Sequence, residues 1–162
     1  MSALAVEPTK QTASRPRHKD MENRCFTVVA GGEIFGLPVA AVHTIFRTET
    51  VTPVPLGPKE VLGLVNLRGK IAVAVSLRRR LQMPDAISTT DNLAIGIEHR
   101  GESFALIVDE VGDVILLEAG SQIPSPTHLK PLLTQHTSAF HRMEKSILPI
   151  LDLNTVFDFK KC

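Results

Sequence analysis

Short apolar runs, broken by polar or glycine-containing turns, recur along this chain from residue 25 onward. The two most pronounced are Val61-Leu62-Gly63-Leu64-Val65 and Ile71-Ala72-Val73-Ala74-Val75, with Asn66 to Lys70 between them as a polar turn. Valine and isoleucine suit a pleated, half-buried surface better than a helix, so both runs predict strands and the pair predicts a hairpin-like unit. Gly69 supplies the permissive backbone of its turn. Residues 26–30 and 33–37 flank Gly31-Gly32 and predict a second hairpin. Further strands are predicted over 93–98, 103–108 and 146–151, with His99-Arg100-Gly101-Glu102 as another polar turn.

Helical signals are brief. Val39, Val42 and Ile45 stand three apart after Pro38, a residue suited to a first helical position, which predicts one helical turn returning to extended chain near Ile45. Residues 50–58 carry three prolines and are extended, because a residue before proline avoids the helical region. Ser76 and Asp152 each follow an apolar strand and precede a leucine, predicting capped short helices over 77–81 and 152–159. Ile71 to Leu77 with Leu81 aligns without gaps on Ile147 to Leu153 with Phe157, the mark of two related half-domains. Residues 82–90 are predicted as a loop, and the polar stretch 127–141 carries no predicted element.

Composition narrows the function. A chain of 162 residues can bury the core of one compact domain. Its formal net charge of +1 gives no global field to gather nucleic acid or anionic lipid, and its seven aromatic residues, all Phe, offer no stacking platform. Arg78-Arg79-Arg80 would splay around one turn of helix without accompanying aromatics, so a solvated turn is expected. Residues 1–24 are polar and rich in Pro, Thr, Ser and basic side chains. They predict a disordered tail ahead of a domain over 25–159, with 160–162 as a short end. No run approaches membrane-spanning length and the first residues lack a leader pattern, so a cytoplasmic protein without membrane insertion is expected. Cys25 and Cys162 lie far apart, with no metal-ligand spacing, and are expected as free thiols.

Candidate chemistry is sparse. Asp109, Glu110 and Asp113 bring three carboxylates within five residues; alternation along extended chain would put Asp109, Val111 and Asp113 on one face. No calcium loop follows them, so Asp109 is expected to be structural, bonding turn backbone or pairing with Arg68. His128, His136 and His141 lack metal-site spacing, and neither a phosphate loop nor a hydrolase elbow is present. No metal or cofactor is implied. Arg68, between Leu67 and Gly69 at a turn joining two buried strands, must pair inside the molecule, with Asp109 or Asp113 as candidates, or present its fork of donors to a partner.

Several of these elements, taken together, resemble the CheW family of chemotaxis coupling proteins. The resemblance is carried by Leu37-Pro38-Val39 with Val42 and Ile45, by Val54-Pro55, by Gly63-Leu64-Val65-Asn66-Leu67-Arg68-Gly69, and by Leu77-Arg78. It continues through Val108-Asp109-Glu110-Val111-Gly112-Asp113-Val114 and Ile150-Leu151-Asp152-Leu153, covering roughly residues 25–159. It implies a mainly β fold of two SH3-like five-stranded barrels packed together, with a few short helices. It also implies a noncatalytic adaptor joining chemoreceptor cytoplasmic tips to a CheA-type histidine kinase at receptor arrays. An adaptor of a non-flagellar receptor–kinase pathway, such as twitching or surface motility, is the alternative. The resemblance further implies that a receptor-tip helix docks on Val42, Ile45, Leu93 and Val114, and that Thr44 and Arg68 take part in partner contacts. It gives the arginine run a receptor or kinase contact as a second reading. The family usually carries an acidic residue where Thr44 stands, Pro at Val73 and Asp at Ser76; the first of these bears on partner identity.

Overall fold

The computed structural model describes residues 23–48, 51–85 and 92–159. The hairpin β1 (Arg24–Ala30) and β2 (Glu33–Pro38) passes through a 3-10 turn at Val39–Ala41 into β3 (Val42–Thr48). A second hairpin, β4 (Val61–Leu67) and β5 (Lys70–Ser76), runs into the short helix α1 (Leu77–Arg80). β6 (Asn92–His99) and β7 (Glu102–Val108) form the third, followed by β8 (Glu110–Leu116) and the two-residue β9 (Gln122–Ile123). Helix α2 (Pro131–Gln135), strands β10 (Thr137–Arg142) and β11 (Ile147–Leu151), and helix α3 (Leu153–Val156) complete the described chain.

The strands divide into two sheets that cross-use the sequence. Its middle makes one, ordered β3-β6-β7-β5-β4; its two ends together make the other, ordered β8-β1-β2-β11-β10-β9. Each contains one parallel contact, β5 with β7 and β11 with β2, and all other pairings are antiparallel. The orders superimpose when β3, β6, β7, β5 and β4 are set on β8, β1, β2, β11 and β10. The two halves are thus the same motif, circularly permuted in the chain, which is the structural basis of the internal repeat. Ser76 Oγ accepts from the Arg79 amide at 3.2 Å and Asp152 Oδ1 from the Asn154 amide at 3.0 Å, so each repeat ends in a side-chain cap. In the middle half Thr52 exchanges two 2.8 Å backbone bonds with Leu64 and closes the barrel, a task β9 performs for the other half by pairing with β10. The barrels are therefore five-stranded and, counting β9, six-stranded.

Three apolar clusters follow from this arrangement. Val65, Ala72, Ala74, Ala94 and Ala105 fill the middle barrel, and Cys25, Leu148 and Ile150 fill the terminal one. The largest cluster lies between the sheets and includes Val28, Phe35, Leu37, Val75, Leu77, Ile95, Ile97, Leu106 and Leu151. Small side chains inside the barrels and large ones between them explain the alanine-valine alternation of residues 71–75, since successive strand residues face opposite sides.

Three expectations need correction. Residues 127–141 hold α2 and most of β10, because their polar groups are satisfied internally: buried His136 bonds Thr155 Oγ1 at 3.0 Å and buried His141 meets Ser121 Oγ at 2.8 Å. Burial holds both imidazoles below the usual histidine range. The three-residue spacing from Val39 to Ile45 is a 3-10 turn followed by a bulged strand, not an α-helical turn. Both capped helices are also shorter than predicted. Cys25 is buried and its thiol is pushed up to about 11. Cys162, nearly all of the expected tail and part of the loop 82–90 lie outside the described residues. Among the described residues no helix is long and apolar enough to cross a membrane.

Candidate docking surface

Both edge strands β3 and β8 carry a bulge at corresponding places. Val42 pairs with Ile97 but Thr44 already with Gly96, so β3 holds one residue more than β6 there. Val111 pairs with Val28 and Val114 with Phe26, which gives β8 the same excess over β1. A bulge resets the alternation of faces. Val42 and Ile45 consequently lie on the side of Ile97 and Ile95, facing the space between the sheets, as Val111 and Val114 do on the side of Val28 and Phe26. This also corrects the expected face shared by Asp109, Val111 and Asp113. The β8 bulge is fixed by the Thr27 hydroxyl, which donates to the Asp113 carbonyl at 3.0 Å, and Gly112 lies so close to Thr27 that a side chain there would clash.

Four of the predicted site residues meet on these edges. Val42 and Leu93 are partly buried against the intersheet core. Ile45 and Val114 leave 39% and 45% of their surface exposed although nothing in their strands requires apolar side chains to face water. Thr44 turns the other way, into the mouth of the middle barrel. A Cβ on Gly96 would come within 2.7 Å of its Cγ2 and 3.1 Å of Leu67 Cδ2. Thr44 and Leu67 thus converge on one glycine, and Arg68, the residue after Leu67, stands at the same end of the barrel.

Arg68 occupies the turn with φ +51°, braced by Asn66 Oδ1, which accepts from the Gly69 amide at 2.9 Å. Its side chain is exposed and makes no hydrogen bond or ion pair among the described residues. The suggested pairing of Arg68 with Asp109 is overturned, because Asp109 belongs to Arg78. The Arg78 guanidinium grips that carboxylate from Nε at 2.9 Å and Nη2 at 2.6 Å, while the Gly31 amide donates to it at 2.8 Å. Arg78, and then the Gly31 amide, hold the Asp109 carboxyl below its ordinary range, opposed by partial desolvation. The other two arginines are not solvated either. Arg79 forks onto Asp85 at 3.0 Å, and Arg80 donates to the Thr155 and Asp158 carbonyls and lies 4.7 Å over the Phe159 ring. The arginine run therefore ties α1 to three other segments. The asymmetry of the sequence was a usable signal, since Asp85 and Asp109 stand within reach of a short capped helix.

Catalytic arrangements find little support in the geometry. The Ser121 hydroxyl directs its hydrogen to the Glu118 carbonyl at 2.7 Å, so His141 Nδ1 must donate to it, the reverse of general-base activation. Among the described residues no group of His, Cys, Asp and Glu side chains is arranged to hold a metal ion.

Comparison with known proteins bears on what such a paired-barrel surface belongs to. The family model described as the CheW-like domain matches residues 24–161. The chain belongs to the CheW-like domain family. A chemotaxis protein CheW of Bacillus subtilis is 28% identical over 130 residues, covering 80% of this chain and 83% of its own length. One from Rhizobium meliloti is 27% identical, covering 78% and 82%. The crystal structure of the scaffolding protein TtCheW from Thermoanaerobacter tengcongensis is similar, with a TM-score of 0.76 at 25% identity, over 88% of this chain and 97% of that one. The CheW-like match thus spans both barrels and both bulged edges.

Proposed function

We propose that this protein is a noncatalytic scaffold that couples chemoreceptors to a CheA-type histidine kinase in chemotaxis signalling. The observation that carries the reading is the pair of bulged edge strands, each offering an exposed apolar residue, Ile45 and Val114, toward one shared space. Bulges blunt an edge against strand addition, whereas apolar anchors flanking a groove suit an amphipathic helix. The receptor-tip helix is the occupant in this reading, resting on Val42, Ile45, Leu93 and Val114, with Thr44 and Arg68 at the rim. Arg68 is an exposed, forked donor set without an internal partner among the described residues, fitted to a carboxylate or carbonyl on the bound protein. Such an adaptor changes kinase output only through different affinities for the kinase's two states.

The experiment is capture of the protein by a chemoreceptor signalling tip. Val42→Asp and Val114→Asp should lose capture while keeping the wild-type far-UV spectrum. Folded variants that are captured as well as wild type would remove the groove from this role.

A further inference from the structure

The corresponding edges are alike for two positions and differ at the third. On β3 the groove-facing series is Val42, Ile45, Arg47; on β8 it is Val111, Val114, Leu116. Leu116 pairs in register with Arg24, two positions on from the Val114–Phe26 pair, and so shares the groove-facing side with Val114. It leaves 60% of its surface exposed, more than Val114 at 45% or Ile45 at 39%. The β8 edge is thus apolar through its third position, where its counterpart is charged.

Charge is equally one-sided. From Glu110 to Glu118 this edge carries three exposed carboxylates, Glu110, Asp113 and Glu118, and no basic residue. An apolar side chain set among like charges favours a complementary surface with an apolar residue flanked by cations. Strand addition at this edge is opposed by the same bulge that aligns Val111 with Val114.

We propose that Leu116 is a specificity-determining anchor of the docking surface, selecting receptor helices that carry a further apolar residue, flanked by Lys or Arg, about one turn beyond the one seated on Val114. This rests on the groove reading above and adds to it a polarity: the helix is distinguished end from end because only the β8 edge accepts an apolar residue at the third position. Arg47 at the equivalent place on β3 makes the two directions of binding unequal.

The test is a dissociation constant for the full-length protein and the helical hairpin of a chemoreceptor signalling tip, with melting temperature as a companion readout. Leu116→Ser removes the apolar surface without altering charge. It should weaken binding about tenfold, as expected for a mostly exposed leucine that becomes buried, and leave the melting temperature unchanged. Leu116→Met should bind within about twofold of wild type, since volume and apolarity persist. If Leu116→Ser binds like wild type while Val114→Asp does not, the anchor is refuted and the groove stands. If Val42→Asp and Val114→Asp also bind like wild type, the groove fails and the anchor with it. Unchanged binding with a clear loss of melting temperature would assign Leu116 to a contact within its own chain, which also overturns the proposal.

Discussion

Asp109 is the fulcrum of the molecule's main ionic contact, and removing its partner offers the sharpest test of how the halves are held together. Arg78 leaves α1, which follows the middle sheet; Asp109 sits between β7 and β8; and the Gly31 amide comes from the β1–β2 turn of the other sheet. The side chains are only 23% and 25% exposed, so solvent screens the pair weakly. Breaking a buried pair costs about 3–5 kcal/mol and an exposed one less than 1, so this partly buried clamp should contribute about 2–3 kcal/mol. For a domain of this size that is about 6–10 °C in melting temperature. Arg78→Ala, Asp109→Ala and the double variant form a cycle; each single should lose nearly the full amount and the double little more. The effect also has a pH signature. Because Asp109 titrates below its unfolded value, its stabilisation is complete above about pH 4 and disappears as pH falls through the lowered folded value. The gap between wild type and Asp109→Asn should therefore be wide at pH 7 and close in strong acid. Calorimetric melts across that range decide it; an Arg78→Ala protein melting within 1–2 °C of wild type at pH 7, against the ~6 °C expected, would refute the assignment.

Arg68→Ala should behave in the opposite way, with an unchanged melting temperature and weakened receptor capture. Arg68→Lys should restore capture poorly, because a single ammonium cannot replace a forked contact; a large loss of stability in Arg68→Ala would return this arginine to a structural role. His136 is buried and held below its unfolded value chiefly by desolvation, with Arg80 adding to the effect and Asp152 and Glu60 opposing it. The unfolded chain thus takes up a proton below about pH 6.5 that the folded chain resists, so stability should fall as pH drops from there. Chemical denaturation at pH 7.5 and 5.5 should give a larger acid-side loss for wild type than for His136→Gln.

Strand positions were legible wherever apolar runs were bounded by turns, as at 61–65 and 71–75, because period and β-branching act locally. The repeat was legible too, since both copies keep an apolar strand and a polar cap. What escaped was set by partners distant in the chain. Arg78 was indistinguishable from a solvated arginine until the β7–β8 turn was placed beside α1, and β10 was hidden because His141 reads as polar although the fold buries it. The two bulges were present in the sequence as valine and isoleucine spaced three apart within β-prone stretches. That spacing is also one helical turn, and only pairing with a neighbour tells the two apart. The docking residues were found through family resemblance; exposure on the edge strands then gives Ile45 and Val114 a physical reason to be apolar.

The permuted assignment of strands has a consequence for biogenesis. The middle barrel is built from contiguous chain and can close as soon as β7 has left the ribosome, whereas β1 and β2, made first, must wait for β11, made almost last, before Gly36 finds Ile150. Until then the nascent N-terminal hairpin carries an unsatisfied edge and an uncovered apolar face, held for nearly the full time of synthesis. Completion of the terminal barrel is therefore a proofreading event for the whole polypeptide. A chain cut short before β11 keeps one finished barrel and an orphaned hairpin, the kind of exposed edge that protein quality control removes.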